Sequence, residues 1–441
     1  MSTVSVRRRP PAPLAGVRIV DLTRLGYGAQ ATALCGALGA EVLRIESRTR
    51  PDPIRLMPPY VPRPGDEPPP EAGITAVPNL EQGFDRGGIF CKYNFGGKQS
   101  VALNLKDPRG LDLLRRLIRT ADVLAESFAA GTLARMGLPE DELRRLKPDL
   151  VYVSMSGFGH RGRDAAHITL GPTAQAFTGL TYLLGLPGRR PAGWSFSYLD
   201  HMGGYLGATA ILIGLRHRHR TGAGQHLDVS QIEPGLPLAG AAALDRQANG
   251  RSYRRADTPP GNRSPEPPMA PHGAFPCAGA DRWIAMACRD DADWRRLRSV
   301  MGEPAWAGAA RFDTVAGRRR DEDALEAALG AWTRTQERDA LADRLAAHGV
   351  PAAAVQDARD RVEHDPQLRA RGYFVPLPHA AIGTWPYERP PFRLSHADVH
   401  PGGVLRRGAP ALGEHTAAVL RRVLGLADAD IAALADAGVL A

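Results

Sequence analysis

A strand–helix–strand pattern near the start of the chain constrains its fold more than any other feature. Residues 17–22 (V-R-I-V-D-L) form a short apolar run with β-branched residues, which is typical of a buried strand. The Ala- and Leu-rich residues 30–38 predict a helix that ends at Gly39, and residues 41–46 (E-V-L-R-I-E) predict a second strand. Strands joined by a helix at this spacing are parallel neighbours in one sheet.

The same alternation continues through the first half of the chain and predicts a Rossmann-like α/β layer. Further strands are predicted at residues 100–105, 123–126, 150–154 and 227–230, with helices at 108–120 and 204–218. Residues 48–88 are rich in Pro and show no clear period, so we interpret them as a loop.

The composition changes near residue 250, where the segment R-R-A-D-T-P-P-G-N-R-S-P-E-P-P-M-A-P predicts a crossing between domains. The strand D-R-W-I-A-M-A-C and Arg/Ala-rich helices at 291–302 and 321–348 predict a smaller α+β domain, and a helix at 413–425 is expected to pack on the first domain. The predicted organisation is a disordered tail at 1–13, a large domain at 14–235, a linker at 236–270, a small domain at 271–375, and a return linker with C-terminal helices at 376–441.

The bulk composition, with 43% hydrophobic and 23% charged residues, is that of a soluble globular protein. The net charge of +9 suits an anionic partner, but the arginines are spread along the chain without a nucleic-acid motif, so a phosphorylated small ligand is predicted. Four cysteines without C-x-x-C spacing indicate a reducing cytoplasm. The first residues lack a secretory apolar core and no apolar run reaches transmembrane length, so no membrane partner is predicted.

Asp200 stands in W-S-F-S-Y-L-D-H-M-G-G-Y-L-G, a carboxylate followed by small residues and a helix-like apolar run. One interpretation is that Asp200 caps the following helix, because Asp is a favoured N-cap residue. The other is that Asp200 is a covalent nucleophile towards an activated acyl group. Gly203 and Gly204 suit the second interpretation, since glycine lets backbone approach a ligand closely.

Two further segments are candidates for binding an anionic ligand. The turn L-T-R-L-G-Y-G-A-Q contains Gly26 and Gly28 but not a full G-x-G-x-x-G, and its place before a helix suits an anion. In E-S-F-A-A-G-T-L-A-R-M-G-L, Arg135 is either a solvated helix residue or the partner of a phosphate, with Phe128 and Met136 flanking a planar ring.

Two other chemistries are rejected. The run R-H-R-H-R at residues 216–220 has no carboxylate or Cys at ligand spacing, so no metal is predicted. A Ser-His-Asp hydrolase would need a G-x-S-x-G elbow, which the sequence lacks. His160 and His167 are interpreted as surface-loop histidines.

Several motifs resemble those of one known family, in the family's order. They are P-L-A-G-V-R-I-V-D-L-T, G-A-L-G-A-E-V-L-R-I-E, K-Q-S-V-A-L-N-L-K-D-P-R-G, E-S-F-A-A-G-T-L-A-R-M-G-L, V-S-M-S-G-F-G, R-T-G-A-G-Q-H-L-D-V-S, G-N-R-S-P, H-G-V-P-A, E-H-D-P-Q-L and L-G-E-H-T. Together they resemble the family III CoA-transferases (the CaiB/BaiF group) over about residues 14 to 441.

This resemblance implies an interlocked homodimer and acid-to-acid transfer of CoA through a covalent aspartyl intermediate at Asp200, with acyl-CoA and a carboxylic acid as substrates. It also implies CoA contacts, and an active-site segment from Thr169 to Pro172. The residues carried over by position are Gly26, Tyr27, Ser47, Arg48, Leu103, Asn104, Leu105, Lys106, Ser127, Phe128, Ala129, Arg135, Met136, Thr169, Leu170, Gly171 and Pro172.

The chain departs from the family pattern at several positions. Ser47 stands in place of an arginine, with Arg48 adjacent, and Lys98-Gln99 stands in place of a Lys-Arg pair. The racemase branch of the family would have His and Asp at positions 170 and 171, where this chain has Leu and Gly, and a single carboxylate cannot relay a proton across both faces of an α-carbon. The alternatives that stay open are an acyl-CoA isomerase or epimerase on the same fold, and a non-catalytic acyl-CoA-binding subunit.

Overall fold

The computed structural model describes residues 10–62, 84–186, 188–193, 196–255 and 258–441. The chain divides into two compact units. The first comprises Met1–Thr181, Gly193–Gly240 and Gln367–Ala441, and the second comprises Tyr182–Ala192 and Ala241–Pro366. The predicted domain limits stay predictions. Most of the predicted tail, residues 1–9, and residues 63–83 of the predicted loop lie outside the described residues.

A six-stranded parallel sheet forms the centre of the first unit, in the order β3-β2-β1-β4-β5-β6. The register places Val20 of β1 opposite Leu43 of β2 on one side and opposite Leu124 of β4 on the other. These strands read as continuous apolar runs because helices cover both faces of the sheet. The strands are β1 (Arg18–Leu22), β2 (Glu41–Glu46), β3 (Gln99–Ala102), β4 (Val123–Glu126), β5 (Val151–Ser156) and β6 (Gln225–Ser230).

The helices of the first unit lie on both sides of this sheet. Along the whole chain, the first ten helices are α1 (Tyr27–Ala37), α2 (Gly88–Tyr93), α3 (Pro108–Arg119), α4 (Thr132–Arg135), α5 (Glu140–Leu146), α6 (Gly171–Phe177), α7 (Leu180–Leu183), α8 (Tyr198–Thr221), α9 (Gly240–Asn249) and α10 (Asp291–Met301). Of these, α10 belongs to the second unit, α7 spans the division between the units, and α9 lies in the second unit from Ala241 onward. On one face α1 and α8 share a core in which Leu34 and Ile211 are fully or almost fully buried. On the other face α3 buries Leu114 and Leu117.

The C-terminal segment returns to the first unit. The hairpin β10 (Phe374–His379) and β11 (Gly383–Glu388) is antiparallel. The helices α15 (Thr416–Leu424) and α16 (Asp428–Asp436) follow it, after α11 (Val315–Arg320), α12 (Glu322–Thr333), α13 (Arg338–Ala347) and α14 (Pro366–Ala370). Val419 and Leu420 are fully buried in the core that contains α3, so α15 packs on the first unit.

The second unit is built around the antiparallel sheet β7 (His272–Pro276), β8 (Trp283–Ala287) and β9 (Ala352–Val355). Its core surrounds the fully buried Trp294. The helix predicted at 321–348 is in fact two helices, α12 and α13. The second begins where the Glu337 side chain accepts hydrogen bonds from the backbone N–H groups of Asp339 and Ala340.

Within the described residues, no helix is both long enough and apolar enough to span a bilayer.

Candidate active site

A cavity of about 880 Å³ lies at the carboxyl ends of strands β1, β4 and β5 in the first unit. The strand order reverses between β1 and β4, and ligands of open α/β sheets bind at such a reversal. The predicted site residues that line this cavity are Gly26, Tyr27, Ser127, Phe128, Ala129, Thr169, Leu170, Gly171, Pro172 and Asp200. The structure therefore brings together ten of the predicted residues, from four separate segments of the chain.

Asp200 is the third residue of α8 and faces the cavity. The N-cap position belongs to Ser197, so the interpretation of Asp200 as a helix cap is wrong. The Asp200 carboxylate accepts a short hydrogen bond at Oδ1 from Nε2 of Gln231, which follows β6. Neutral donors thus hold the carboxylate at the cavity wall, and no cation among the described residues forms an ion pair with it.

Burial raises the pKa of Asp200 from 3.8 to about 6, although hydrogen bonds from Ser197 and Gln231 oppose the shift. The side chain is ionised above this pH, and a carboxylate that is poorly solvated is a stronger nucleophile than one in water. Asp200 therefore has the charge state and the environment of a nucleophile at neutral pH.

Gly171, the first residue of α6, lies directly beside the carboxylate. A Cβ at this position would lie 3.0 Å from Asp200 Oδ2 and 2.5 Å from Ser197 Oγ. A second carboxylate at position 171 would displace Ser197 and crowd Asp200. The local packing thus suits a single acidic group, in keeping with the departure from the racemase pattern.

Gly203 and Gly204 let two helices pack closely, and the interpretation that they let the backbone approach a ligand is wrong. A Cβ on Gly203 would lie 2.5 Å from the Tyr27 ring, and one on Gly204 would lie 2.9 Å from Cβ of Gln30. Both glycines are buried where α8 crosses α1. The missing side chains let the two helices approach closely, and this contact fixes the start of α8 and the orientation of Asp200.

Beside Asp200, His201 joins a hydrogen-bonded group that the sequence analysis missed. Its Nδ1 lies 2.8 Å from Oε1 of Gln30, and its Nε2 lies 3.3 Å from the Tyr93 hydroxyl. Burial and the positive charge of Lys92 lower the pKa of His201 to about 4, so the ring is neutral near pH 7. Because an amide oxygen only accepts, Nδ1 carries the proton and Nε2 accepts from Tyr93.

The loop after β1 and the loop after β4 are tied together at the cavity. The Ser127 hydroxyl donates to the carbonyl of Arg24 at 3.1 Å and accepts from its backbone N–H at 2.8 Å. The predicted ligand residue Ser127 thus also has a structural role, because it couples two lining segments.

The remaining predicted contacts, Ser47, Arg48, Leu103, Asn104, Leu105, Lys106, Arg135 and Met136, are not among the residues that line this cavity. Ser47 Oγ donates to the carbonyl of the C-terminal Ala441 at 2.9 Å. Leu103 is fully buried in the sheet core, and Met136 packs against the same core. Arg135 donates to Thr132 Oγ1 at 2.9 Å. Their contact with CoA stays a prediction.

Lys98, at the place of the family's Lys-Arg pair, is fully buried in a polar cluster. Its ammonium donates to Asp21 Oδ2 at 2.9 Å, to the carbonyl of Ala29 and to Thr32 Oγ1 at 2.8 Å each, and to Asn94 Oδ1 at 3.1 Å. These acceptors use all three donor hydrogens. Lys98 therefore fixes α1 against the sheet and does not present its charge to a ligand.

The two histidines interpreted as surface residues differ from each other in the structure. His167 lines the cavity with its ring edge-on to Phe158. The side chain of His160 is only 14% exposed and its Nε2 lies 3.5 Å from Glu126 Oε1. The His167 side chain is 66% exposed, which agrees with its interpretation as a surface-loop histidine, whereas that interpretation is wrong for the mostly buried His160. Across the described part of the chain, no three His, Cys, Asp or Glu side chains cluster as metal ligands would.

Comparisons with known proteins identify the family of the chain. The model of CoA-transferase family III matches residues 14–416. The chain is 29% identical to the succinyl-CoA–D-citramalate CoA-transferase of Chloroflexus aurantiacus, over 97% of this chain and 98% of that one. It is 30% identical to the succinate–glutarate CoA-transferase of Agrobacterium fabrum, over 94% and 96% of the two chains.

A further relative is longer than this chain. The probable CoA-transferase Rv1866 of Mycobacterium tuberculosis is 30% identical over 94% of this chain, which matches 48% of the length of that relative. Among solved structures, a CaiB/BaiF family protein from Brucella suis superimposes with a TM-score of 0.79 at 30% identity, covering 94% of this chain and 100% of that one. The resemblance found in the motifs is confirmed: the chain belongs to CoA-transferase family III.

Proposed function

We propose that this protein transfers CoA from an acyl-CoA to a carboxylic acid, with Asp200 as the covalent nucleophile. The observation that carries the proposal is a largely buried carboxylate, without an ion-pair partner among the described residues, on the wall of a cavity large enough for a thioester substrate. The names of two relatives describe CoA exchange between two acids. Apolar side chains such as Leu25, Ile54 and Met57 line the cavity, which suits an acyl group and a pantetheine arm.

The proposed exchange needs no net proton transfer. An Asp200 oxygen attacks the thioester carbon, the C–S bond breaks, and CoA leaves as a thiolate from a mixed anhydride. The thiolate then attacks Cγ of Asp200 and releases the donor acid, which leaves an aspartyl-CoA thioester. The acceptor carboxylate attacks the same Cγ and displaces the thiolate, which finally attacks the acceptor acyl carbon and frees Asp200.

Asp200 carries the only carboxyl group among the described residues that line the cavity, so we assign it the attack on the thioester and the covalent intermediates. Replacing Asp200 with Ala should abolish exchange, measured with a panel of acyl-CoA donors and acids that begins with succinyl-CoA. The matched control is Asp141→Asn, a change at an acidic side chain that is 78% exposed on α5, which should leave exchange unchanged.

Trapping provides a second readout. Incubation with acyl-CoA followed by hydroxylamine or borohydride should modify the peptide that contains Asp200 in the wild type, as seen by mass spectrometry. Exchange by the Ala variant, or modification of another peptide, would show that a different group is the nucleophile. Wild-type protein that binds CoA and exchanges no acid tested would favour a non-catalytic subunit.

We also propose a cytoplasmic, interlocked homodimer in which the six-stranded sheet is a Rossmann-like CoA-binding layer. Large apolar side chains on α8 are exposed in the single chain, among them Ile213 at 60% and Tyr205 at 41%. Such a surface is typical of an interface. Sedimentation at micromolar protein should give the mass of two chains, and a stable monomer would contradict the dimer.

A further inference from the structure

Gln231 is held in one place by the sheet. It follows the last residue of β6 and is 3% exposed. Its backbone N–H donates to the carbonyl of Ser156 at 3.0 Å, and the next N–H, of Ile232, donates to the carbonyl of Gly157 at 3.1 Å. The pairing of β5 with β6 thus continues past the strand ends and fixes the Gln231 backbone.

The side-chain amide of Gln231 has a defined orientation. Its Nε2 donates to Asp200 Oδ1, and its Oε1 lies 3.2 Å from Thr169 Oγ1, which donates to it. The flipped amide would place an oxygen against the carboxylate, which is repulsive. Thr169 has room for this contact because Gly157 faces it and a Cβ there would overlap its hydroxyl.

The two oxygens of Asp200 therefore differ. Oδ1 accepts from the Gln231 amide, whereas Oδ2 lies on the side of Gly171, near the Ser197 hydroxyl that also donates to the carboxylate. The cavity lining includes both Gly171 and Gln231, so both oxygens belong to the same site. A half-turn of the free carboxylate only exchanges the two oxygens, so in either orientation one oxygen faces the amide and the other faces Gly171.

We infer that Gln231, oriented by Thr169, holds Oδ1 of Asp200 through the whole exchange, so that Oδ2 is the attacking oxygen. The inference rests on the proposed function and assigns a further catalytic residue to it. Once Oδ2 is acylated, Oδ1 becomes the carbonyl oxygen of the enzyme-bound anhydride or thioester. Each attack on Cγ then places a negative charge on Oδ1, where the Gln231 N–H group already points, as in an oxyanion hole.

The order in which bonds form and break determines which oxygen of Asp200 is replaced in each turnover. When the thiolate attacks Cγ, the Cγ–Oδ2 bond breaks and the released acid carries Oδ2 away. The acceptor acid then attacks Cγ through one of its oxygens, and that oxygen stays on Asp200 when the acyl group leaves. Each turnover thus replaces one carboxylate oxygen, and the oxygen that Gln231 holds is not exchanged in that turnover.

Oxygen labelling tests the covalent role of Asp200 on which the inference rests. The wild-type protein is turned over many times with an acyl-CoA that supports exchange and an excess of the same acid, labelled with heavy oxygen in its carboxylate, and the Asp200 peptide is weighed. We expect heavy oxygen at both positions of Asp200, because the freed carboxylate can rotate between turnovers. No labelled oxygen would refute the proposed function itself.

The variant Gln231→Leu tests the amide donor itself. We expect a kcat about 10²-fold to 10³-fold lower, the loss typical of one oxyanion donor, while Asp200 still acquires heavy oxygen. The acid limb of the pH–rate profile should move to higher pH, because the lost hydrogen bond favours the ionised carboxylate. A kcat equal to that of the wild type, or an unmoved acid limb, would overturn the inference.

The matched control is Gln175→Leu. Gln175 is also buried, at 1% exposure, and its Oε1 accepts from the backbone N–H of Tyr198. This variant should keep the wild-type acid limb, whatever its effect on stability. A shift of the acid limb equal to that of Gln231→Leu would show that any buried amide change at this edge acts in the same way, and would overturn the inference.

Discussion

Replacing Asp200 with Asn should stabilise the folded protein at neutral pH while it removes the proposed nucleophile. Burial raises the pKa of this carboxyl from 3.8 to about 6, so its ionised form is less favourable in the fold than in the unfolded chain. A difference of about two pKa units corresponds to about 3 kcal/mol at a pH above both values. Asn keeps the size of the side chain and still offers an oxygen to the Gln231 amide.

The sign of the pH dependence follows from the direction of this shift. A carboxyl whose pKa is raised by folding binds its proton more tightly in the folded state, so its contribution favours folding below about pH 4 and is lost as the pH rises through about 6. Asn does not titrate. The gain in the free energy of unfolding on Asp200→Asn should therefore grow between about pH 4 and pH 6 and stay nearly constant above about pH 7.

Urea unfolding of both proteins, followed by circular dichroism at several pH values, measures this gain. Asp141→Asn serves as the control, because its exposed carboxyl should change stability by less than about 0.5 kcal/mol throughout. A gain that does not vary with pH, or a loss of stability above pH 7, would refute the reasoning. It would mean that the cavity solvates the carboxylate as well as water does.

Two more predictions concern the rate and the helix contact. The kcat for exchange should fall about tenfold per pH unit below about pH 6, because only the ionised nucleophile attacks; a log kcat that stays level to pH 4 would contradict this. Gly203→Ala should lower the free energy of unfolding by about 1–3 kcal/mol, since its Cβ would overlap the Tyr27 ring. In urea unfolding, Gly240→Ala is the control, because no atom lies within 4 Å of its added Cβ. Equal effects of the two alanines would contradict the packing argument.

The strand positions could be predicted because they depend on short-range pattern. Residues 41–46 and 123–126 were predicted as strands, and β2 and β4 have these same bounds, since a buried parallel strand is a continuous apolar run with clear ends. The start of α8 was predicted six residues too late, at 204, because S-F-S-Y-L-D has no helical period of its own. Contact with α6 and α1 stabilises that first turn, and such contact is not visible in a local pattern.

Only part of the site could be predicted, because some of its residues reach it through contacts that a local sequence pattern does not show. Asp200 and the segment Thr169 to Pro172 were identified by resemblance, and both line the cavity. Gln231 and Tyr93 were missed because each reaches the site through a hydrogen bond to a residue distant in sequence. The position of Gln231 carried a usable signal, because the residue after a parallel strand lies at the edge of the sheet where ligands bind.

The chain connection explains why Gln231 meets Asp200. In a parallel α/β sheet, the start of a helix and the end of the strand that follows it lie at the same edge, because the chain crosses the layer once in each direction. Asp200 is in the first turn of α8 and Gln231 comes directly after β6, so this connection alone brings position 231 to position 200. The fold therefore fixes that a side chain at 231 faces Asp200, whereas the residue type decides what it does. An aliphatic residue there would offer no hydrogen bond, whereas the amide holds one carboxylate oxygen and leaves the other to make the proposed attack.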